Sequence, residues 1–140
     1  MPNSISNYLF VYGSLRSGFR SPVYEYISRF FDFAGNAKVK GKLFDLGPYP
    51  GGVPTNDETF VIGELYQIRN EAEFNWAIAQ LDDYEGVKAE EGEPALYRRE
   101  LVNVYLDNEV ITAWIYWYNG DVTGKPVITS GDLLEYLKSK

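Results

Sequence analysis

Two β-rich runs in the C-terminal half of the chain constrain the fold most. Residues 97–106 and 110–118 are rich in β-branched and aromatic side chains, and Asp107 and Asn108 lie between them. This pattern predicts a β-hairpin with a tight turn. Because the two strands of a hairpin are antiparallel, the pattern favours a mixed α+β fold over a doubly wound parallel sheet.

The length of 140 residues fits one compact domain spanning residues 1–140. A content of 45% hydrophobic and 24% charged residues is typical of a globular protein. Residues 1–7 lack the basic start and apolar stretch of a signal peptide, and no apolar run approaches the roughly 20 residues of a membrane helix. We therefore expect a soluble, cytoplasmic protein without a membrane partner.

Three further strands are predicted from apolar runs and from alternation of side-chain polarity. They are residues 8–12, ending at Gly13, residues 37–44, in which three lysines alternate with other residues, and residues 60–68. Residues 47–52 form a cluster of proline and glycine that predicts a loop, because such residues continue neither a helix nor a central strand. Residues 87–95, acidic and containing glycine and proline, predict a second, solvated loop.

Three helices are predicted from capping residues followed by apolar residues at helical spacing. The first helix begins with Ser21 and Pro22, and its apolar face consists of Val23, Ile27, Phe30 and Phe31. The second begins with Asn70 and Glu73, and its apolar face consists of Phe74, Ala77, Ile78 and Leu81. The third is short, is capped near Ser130 or Asp132, and carries Leu133, Leu134 and Leu137.

The chain contains no cysteine and no histidine, which excludes thiolate nucleophiles, imidazole bases, disulfides and the usual zinc sites. Proton transfer is left to carboxylates, lysines and tyrosines. We expect neither a metal nor an organic cofactor.

The formal net charge of −7 disfavours nucleic acid and anionic membranes as partners. Nine of the acidic residues, against three basic ones, lie in residues 71–100. Residues 1–70, which contain the first predicted strand and the turn after it, carry 6 acidic and 7 basic residues, so this half of the chain is close to neutral and can bind an anionic substrate.

Three places are candidates for chemistry. The first is the turn at Tyr12, Gly13, Ser14 and Leu15, whose amides can surround an anion, although an ordinary turn also explains it. The second is Glu85, in an acidic segment with apolar neighbours that raise a carboxyl pKa, although most acidic clusters are solvated helix ends. The third is a strand with four aromatic residues, among them Tyr118, which form either core or a cavity wall.

Six segments together resemble the gamma-glutamylcyclotransferase-like family, and within it the AIG2-like and gamma-glutamylamine cyclotransferase branch. The resemblance spans about residues 8–118 and is carried by FVYGSLRSG at 10–18, LFDLGPYPG at 43–51, GELY at 63–66, LDDYEG at 81–86, YRR at 97–99 and AWIY at 113–116.

The resemblance implies a small mixed β-barrel flanked by helices. It also implies an enzyme that cyclises a gamma-glutamyl amine or peptide to 5-oxoproline, with Glu85 as the acid/base. Tyr12, Gly13, Ser14, Leu15 and Tyr118 are then the expected substrate-binding residues. The expected partner is a small gamma-glutamyl molecule, bound by a monomer or weak homodimer. Ser14 and Leu15 depart from the Thr and Asn of particular branches, so the leaving amine is not implied.

Two other kinds of function are compatible with the residues. A non-catalytic small-molecule binding module would keep the cavity without turnover. A glycosidase-like enzyme would also need neither histidine nor cysteine, but it needs two separated carboxyl groups, and Asp82, Asp83 and Glu85 are adjacent in sequence. Arg98 and Arg99 are surface charges or, on an inner face, partners of a carboxylate.

Overall fold

The computed structural model describes residues 7–12, 28–46, 50–85, 97–133 and 136, with the side chains of 82–85 excepted. Within these ranges the strands are β1 Tyr8–Val11, β2 Phe31–Asp45, β3 Pro50–Pro54, β4 Phe60–Ile68, β5 Tyr97–Leu106 and β6 Glu109–Tyr118. A 3₁₀ turn, Glu71–Glu73, leads into the helix α1, Phe74–Glu85.

Five strands close into a mixed barrel in the order β2-β4-β1-β6-β5, and the pairing of Lys38 with Tyr105 joins β5 back to β2. The β1–β6 pair is parallel and the other neighbours are antiparallel. Strand β3 is an additional edge strand that pairs with β2 alone in the ladder. The predicted α+β class and small mixed β-barrel are confirmed.

The two faces of the strands bury two separate apolar clusters. The inner cluster draws residues from all five barrel strands, including Phe10, Tyr12, Val39, Val61, Leu65, Val104, Ile115 and Trp117. The outer cluster joins the opposite face of the barrel to helix α1 and includes Leu9, Val11, Tyr66, Ile68, Phe74, Ala77, Ile78, Leu81, Tyr97 and Tyr116. Strand β1 contributes alternate side chains to both, as the period of a strand requires.

The predicted hairpin is confirmed. Strands β5 and β6 pair along their whole length from Tyr97↔Tyr118 to Leu106↔Glu109. Asp107 in the connecting turn has a positive φ of 53°, a conformation that Asp tolerates better than most residues. The strand predicted at 60–68 is confirmed as β4, and the one predicted at 8–12 is confirmed as β1, which ends one residue earlier, at Val11.

The start of β2 differs from the prediction. The strand begins at Phe31, six residues before the predicted boundary at residue 37, whereas residues 28–30 are helical. Placing Phe31 on a helix was therefore wrong: it pairs with Ile68 in the sheet, and its ring packs edge-on against Phe74 with centroids 6.5 Å apart. Pairing with β4 and burial of this ring override the local helical pattern.

The proline and glycine cluster was predicted to be a loop, and that is wrong for its second half. Pro50–Pro54 forms β3, which pairs with residues 41–45 of β2. Proline is tolerated because β3 is an edge strand, where a missing N–H costs no ladder bond on the open side.

The helix predicted after residue 70 is confirmed, with a modified start. Asn70 caps the 3₁₀ turn through its side chain, which accepts a hydrogen bond from the Ala72 N–H at 3.0 Å. At the C-terminal end, residues 133 and 136 are helical, and the Tyr136 N–H donates to the Asp132 carbonyl at 2.9 Å. Leu133 is buried in the inner cluster.

Several predictions lie outside the described residues. They concern Gly13, Ser14 and Leu15, the first helix before residue 28, the loop at 87–95, and Leu134 and Leu137. Within the described residues, no helix combines the length and the apolar character needed to cross a membrane.

Candidate functional site

Two of the predicted site residues lie at the same end of the barrel. Strands β1 and β6 are parallel, with Leu9 opposite Trp114, so their carboxyl ends meet at one edge. Tyr12 directly follows β1, and Tyr118 is the last residue of β6. We call this region the β1/β6 end; Tyr97, which pairs with Tyr118, and β3 also belong to it.

The hydroxyl of Tyr12 is engaged by the protein backbone. It donates a hydrogen bond to the Tyr116 carbonyl of β6 and accepts one from the Gly52 N–H of β3 at 3.1 Å. The side chain is buried in the inner cluster. Since a phenol has one proton to donate, this hydroxyl links β1, β6 and β3 instead of offering a donor to a ligand.

Tyr118 is half-buried and held on several sides. Its ring lies 5.8 Å from that of Tyr97 at an interplanar angle of 72°. A Cβ added to Gly51 would lie 3.0 Å from its Cβ and Cγ atoms, so the β3 backbone touches the side chain directly. Its carbonyl accepts from Arg98 Nη1 at 3.3 Å. Tyr118 is thus a fixed part of the β1/β6 end.

Glu85 is the last residue of α1, and its side chain lies outside the described residues. The helix packs through Ala77, Ile78 and Leu81 into the outer cluster, which also holds Tyr97 and Tyr116 of the β1/β6 end. The helix that carries Glu85 and the strands that end beside Tyr12 therefore share one apolar cluster. The acid/base role of Glu85 stays a prediction.

Sequence reasoning missed Glu64. It is the one charged side chain that is buried among the described residues, with 4% of its surface exposed. It lies opposite Val11 in the β1–β4 ladder, and it accepts a hydrogen bond from the Tyr66 hydroxyl at 2.7 Å. An acidic residue inside an otherwise apolar strand was the available signal, because such residues are rarely buried unless they are partnered.

The two arginines considered as substrate clamps have partners within the protein. Arg98 Nε donates to Glu100 at 2.7 Å. The Arg99 guanidinium lies over the Trp114 ring, 4.4 Å from its centroid, which is a cation–π geometry. Both contacts are compatible with surface roles.

Asp121 lies three residues beyond Tyr118 and is fully exposed. Its carboxylate accepts from the Thr123 hydroxyl at 2.7 Å and from the Thr123 N–H at 2.9 Å. These two hydrogen bonds lower the pKa of Asp121 below its usual range because they favour the charged form. Asp121 therefore stays ionised at neutral pH and is unsuited to proton transfer there.

In the described part of the chain, no three acidic side chains lie close enough together to hold a metal ion. The chain has neither cysteine nor histidine to serve as soft or borderline metal ligands.

Comparison with known proteins gives consistent results. A family model described as gamma-glutamyl cyclotransferase, AIG2-like, matches residues 9–135. The gamma-glutamylcyclotransferase family protein YtfP of Escherichia coli is 32% identical over 134 residues, which cover 91% of this chain and 96% of YtfP. The solution structure of YtfP superposes with a TM-score of 0.62 and covers 95% of this chain and 99% of YtfP.

Two other solved structures share the fold. YkqA of Bacillus subtilis is 29% identical, with a TM-score of 0.69 over 97% of this chain, and this chain spans only 44% of YkqA. An AIG2-like protein of Mus musculus, 21% identical, superposes with a TM-score of 0.61 over 81% of this chain and 77% of its own.

Proposed function

Because the chain belongs to the AIG2-like gamma-glutamylcyclotransferase family, we propose that it cyclises a gamma-glutamyl amine or peptide to 5-oxoproline and releases the amine. The observation that carries this proposal is the family match over residues 9–135, which includes both the segment after β1 and Glu85. The fold supports it, because Tyr12 and Tyr118 lie together at the β1/β6 end.

The substrate brings its own nucleophile to this reaction. Its α-amine attacks the γ-carbonyl carbon, the new C–N bond closes a five-membered ring, and the bond to the leaving amine breaks. Holding the two groups in a reactive geometry contributes up to roughly 7 to 11 kcal/mol through effective molarity. An enzyme without cysteine or histidine can therefore catalyse the step by positioning, proton transfer and charge stabilisation.

Glu85 is the proposed acid/base. It takes a proton from the substrate ammonium, which frees the amine to attack, and returns a proton to the leaving nitrogen. The carboxyl group is the natural choice, since the chain offers no imidazole.

The segment Gly13, Ser14 and Leu15 is the proposed binding loop. Its amides would stabilise the negative oxygen of the tetrahedral intermediate, where loss of one donor costs about 2.7 to 4 kcal/mol in comparable sites. The substrate carboxylate would be bound by the same loop. Tyr12 contributes differently, because its hydroxyl is bound to the Tyr116 carbonyl and the Gly52 N–H.

The test offers the purified protein a panel of gamma-glutamyl amines, gamma-glutamyl dipeptides and glutathione and measures released 5-oxoproline. We expect release from at least one substrate, and a loss of about 10²- to 10⁴-fold in kcat for Glu85→Gln. Glu73→Gln is the matched control, because Glu73 is exposed in the turn that precedes the same helix.

Undiminished turnover by Glu85→Gln would remove Glu85 from the mechanism. Thermal stabilisation by a panel member without any product would instead indicate a binding module that lacks turnover.

A further inference from the structure

Two tyrosine hydroxyls hold β3 against the barrel. The Tyr97 hydroxyl donates to the Pro50 carbonyl at 2.6 Å, and the Gly52 N–H donates to the Tyr12 hydroxyl at 3.1 Å. Tyr97 opens β5, and Tyr12 follows β1. Pro50 and Gly52 of β3 are thus hydrogen-bonded to tyrosines of β5 and of the segment after β1, although β3 forms a ladder with β2 alone.

The backbone of β3 lies directly on the two site tyrosines. A Cβ on Gly52 would lie 2.9 to 3.1 Å from the Tyr12 ring and hydroxyl, and a Cβ on Gly51 would lie 3.0 Å from Tyr118. These distances are shorter than, or at the limit of, ordinary contacts, so glycine is needed for this close approach. The position of β3 therefore defines one wall beside Tyr12 and Tyr118.

Among these contacts, we expect the Tyr97 hydrogen bond to have the largest influence on the position of β3. An edge strand is held by one ladder only, and Pro50 lies at the end of β3. The Tyr97 ring also packs against Tyr118, so this one residue contacts both Pro50 of β3 and Tyr118 of β6. Loss of the hydroxyl would leave the ring contact in place and release the Pro50 carbonyl.

We propose that Tyr97 is a positioning residue which, by holding β3 against Tyr118, limits the size of the leaving amine that the site accepts. This inference rests on the proposed cyclotransferase function. The gamma-glutamyl group carries an ammonium and a carboxylate and needs charged or amide partners. The Tyr97 ring is buried in the outer cluster, whereas the Tyr118 ring against which it packs is half-buried, so the aromatic side chain of Tyr118 suits the variable amine portion instead.

The experiment compares Tyr97→Phe with wild type on two substrates, gamma-glutamyl methylamide and gamma-glutamyl p-nitroanilide, as full-length protein. We expect the ratio of kcat/KM for the small over the bulky substrate to fall at least tenfold, because a less firmly held β3 admits the bulky amine more easily. A role in folding alone would lower both values by the same factor and leave the ratio unchanged.

Tyr105→Phe is the matched control. Tyr105 lies on the same strand as Tyr97, near its other end, and its ring packs on Phe60 with centroids 5.9 Å apart. Within the described part of the chain its hydroxyl makes no hydrogen bond. We expect its ratio to stay within twofold of wild type.

Gly51→Ala serves as an independent second variant. The added methyl group would lie 2.6 Å from Leu46 Cδ1 and 3.0 Å from Tyr118 Cβ and Cγ, so β3 and these side chains must move apart, and we expect a shift of the ratio in the same direction. An active wild type with unchanged ratios in Tyr97→Phe and Gly51→Ala would overturn this inference and leave the proposed function standing. A wild type that releases no 5-oxoproline from any substrate would overturn both.

Discussion

At the scale of single residues, the Glu64–Tyr66 pair contains the one charged side chain that is buried in the described part of the chain. Both side chains are buried, and the Tyr66 hydroxyl donates to the carboxylate at 2.7 Å. A buried carboxylate needs such donors, since removing one leaves part of its desolvation penalty unbalanced. In the β1–β4 ladder, Glu64 lies opposite Val11 and Tyr66 lies opposite Leu9, so the pair is next to the strand that leads to the candidate site.

Replacing Tyr66 with Phe should therefore destabilise the protein by about 1.5 to 3 kcal/mol, the range for hydrogen bonds to charged groups. In a Glu64→Gln background the same replacement should cost only about 0.5 to 1.5 kcal/mol, because the acceptor is then neutral. Urea unfolding of the four proteins in this double-mutant cycle measures the difference. Equal costs in both backgrounds would show that the carboxylate charge does not contribute.

The sequence predicts Tyr12 as a site residue but does not indicate the hydrogen-bond partners of its hydroxyl. The two backbone partners belong to Tyr116 and Gly52, which are 104 and 40 positions away in the chain. Local pattern carries no information about such distant pairing. The same limit hides the Tyr97–Pro50 bond, 47 positions apart, although both residues stand in segments that the family resemblance includes.

At the scale of elements, the segment after β6 is fastened to the barrel by backbone hydrogen bonds. The Ile128 N–H donates to the Leu43 carbonyl at 2.7 Å, and the Ile62 N–H donates to the Gly131 carbonyl at 2.7 Å. Gly131 has a φ of +70°, and a Cβ there would lie 1.9 Å from the Phe60 carbonyl oxygen. Both its conformation and its surroundings require glycine.

Gly131→Ala and Gly124→Ala form a matched pair that separates these two causes. Both glycines have positive φ, but a Cβ on Gly124 meets nothing within 4 Å. Gly124→Ala should cost about 1 to 2 kcal/mol from the left-handed conformation alone. Gly131→Ala should cost a further 1 to 3 kcal/mol, because the chain must shift away from β4. Denaturant unfolding measures both, and equal losses would contradict the steric contribution.

Element prediction succeeded where local chemistry and pairing agree. The β5–β6 hairpin, β1, β4 and the Asn70 cap carry clear local signals, and the structure has them all. It failed for β3 and for the first residues of β2. There, proline, glycine and a helical pattern point away from strands. Strand β3 is stabilised by pairing with residues 41–45 of β2, and the first residues of β2 by pairing with the distant end of β4.

At the scale of the whole molecule, β1 joins the two apolar clusters. Leu9 and Val11 belong to the outer cluster with helix α1, and Phe10 and Tyr12 belong to the inner cluster of the barrel. The strand is hydrogen-bonded on both sides, to β4 and to β6. Strand β1 therefore connects both clusters to Tyr12, the residue that precedes the proposed binding loop.

This shared strand predicts a single cooperative unit that unfolds as a whole. Phe10→Ala should remove about 3 to 5 kcal/mol from the inner cluster, and Leu81→Ala about 2 to 5 kcal/mol from the outer one. The NMR indole signals of Trp117 and Trp76 report on the barrel interior and on α1, respectively. In a urea titration, both signals should disappear at one common midpoint in each variant, because neither cluster keeps its structure once β1 is lost.

Loss of the Trp76 signal at lower urea in Leu81→Ala, with Trp117 unchanged, would instead mean that the helix detaches from an intact barrel. Helix α1 carries Glu85, so such detachment would move the proposed acid/base relative to the β1/β6 end. This would occur at urea concentrations at which the barrel still holds Tyr12 and Tyr118 in place.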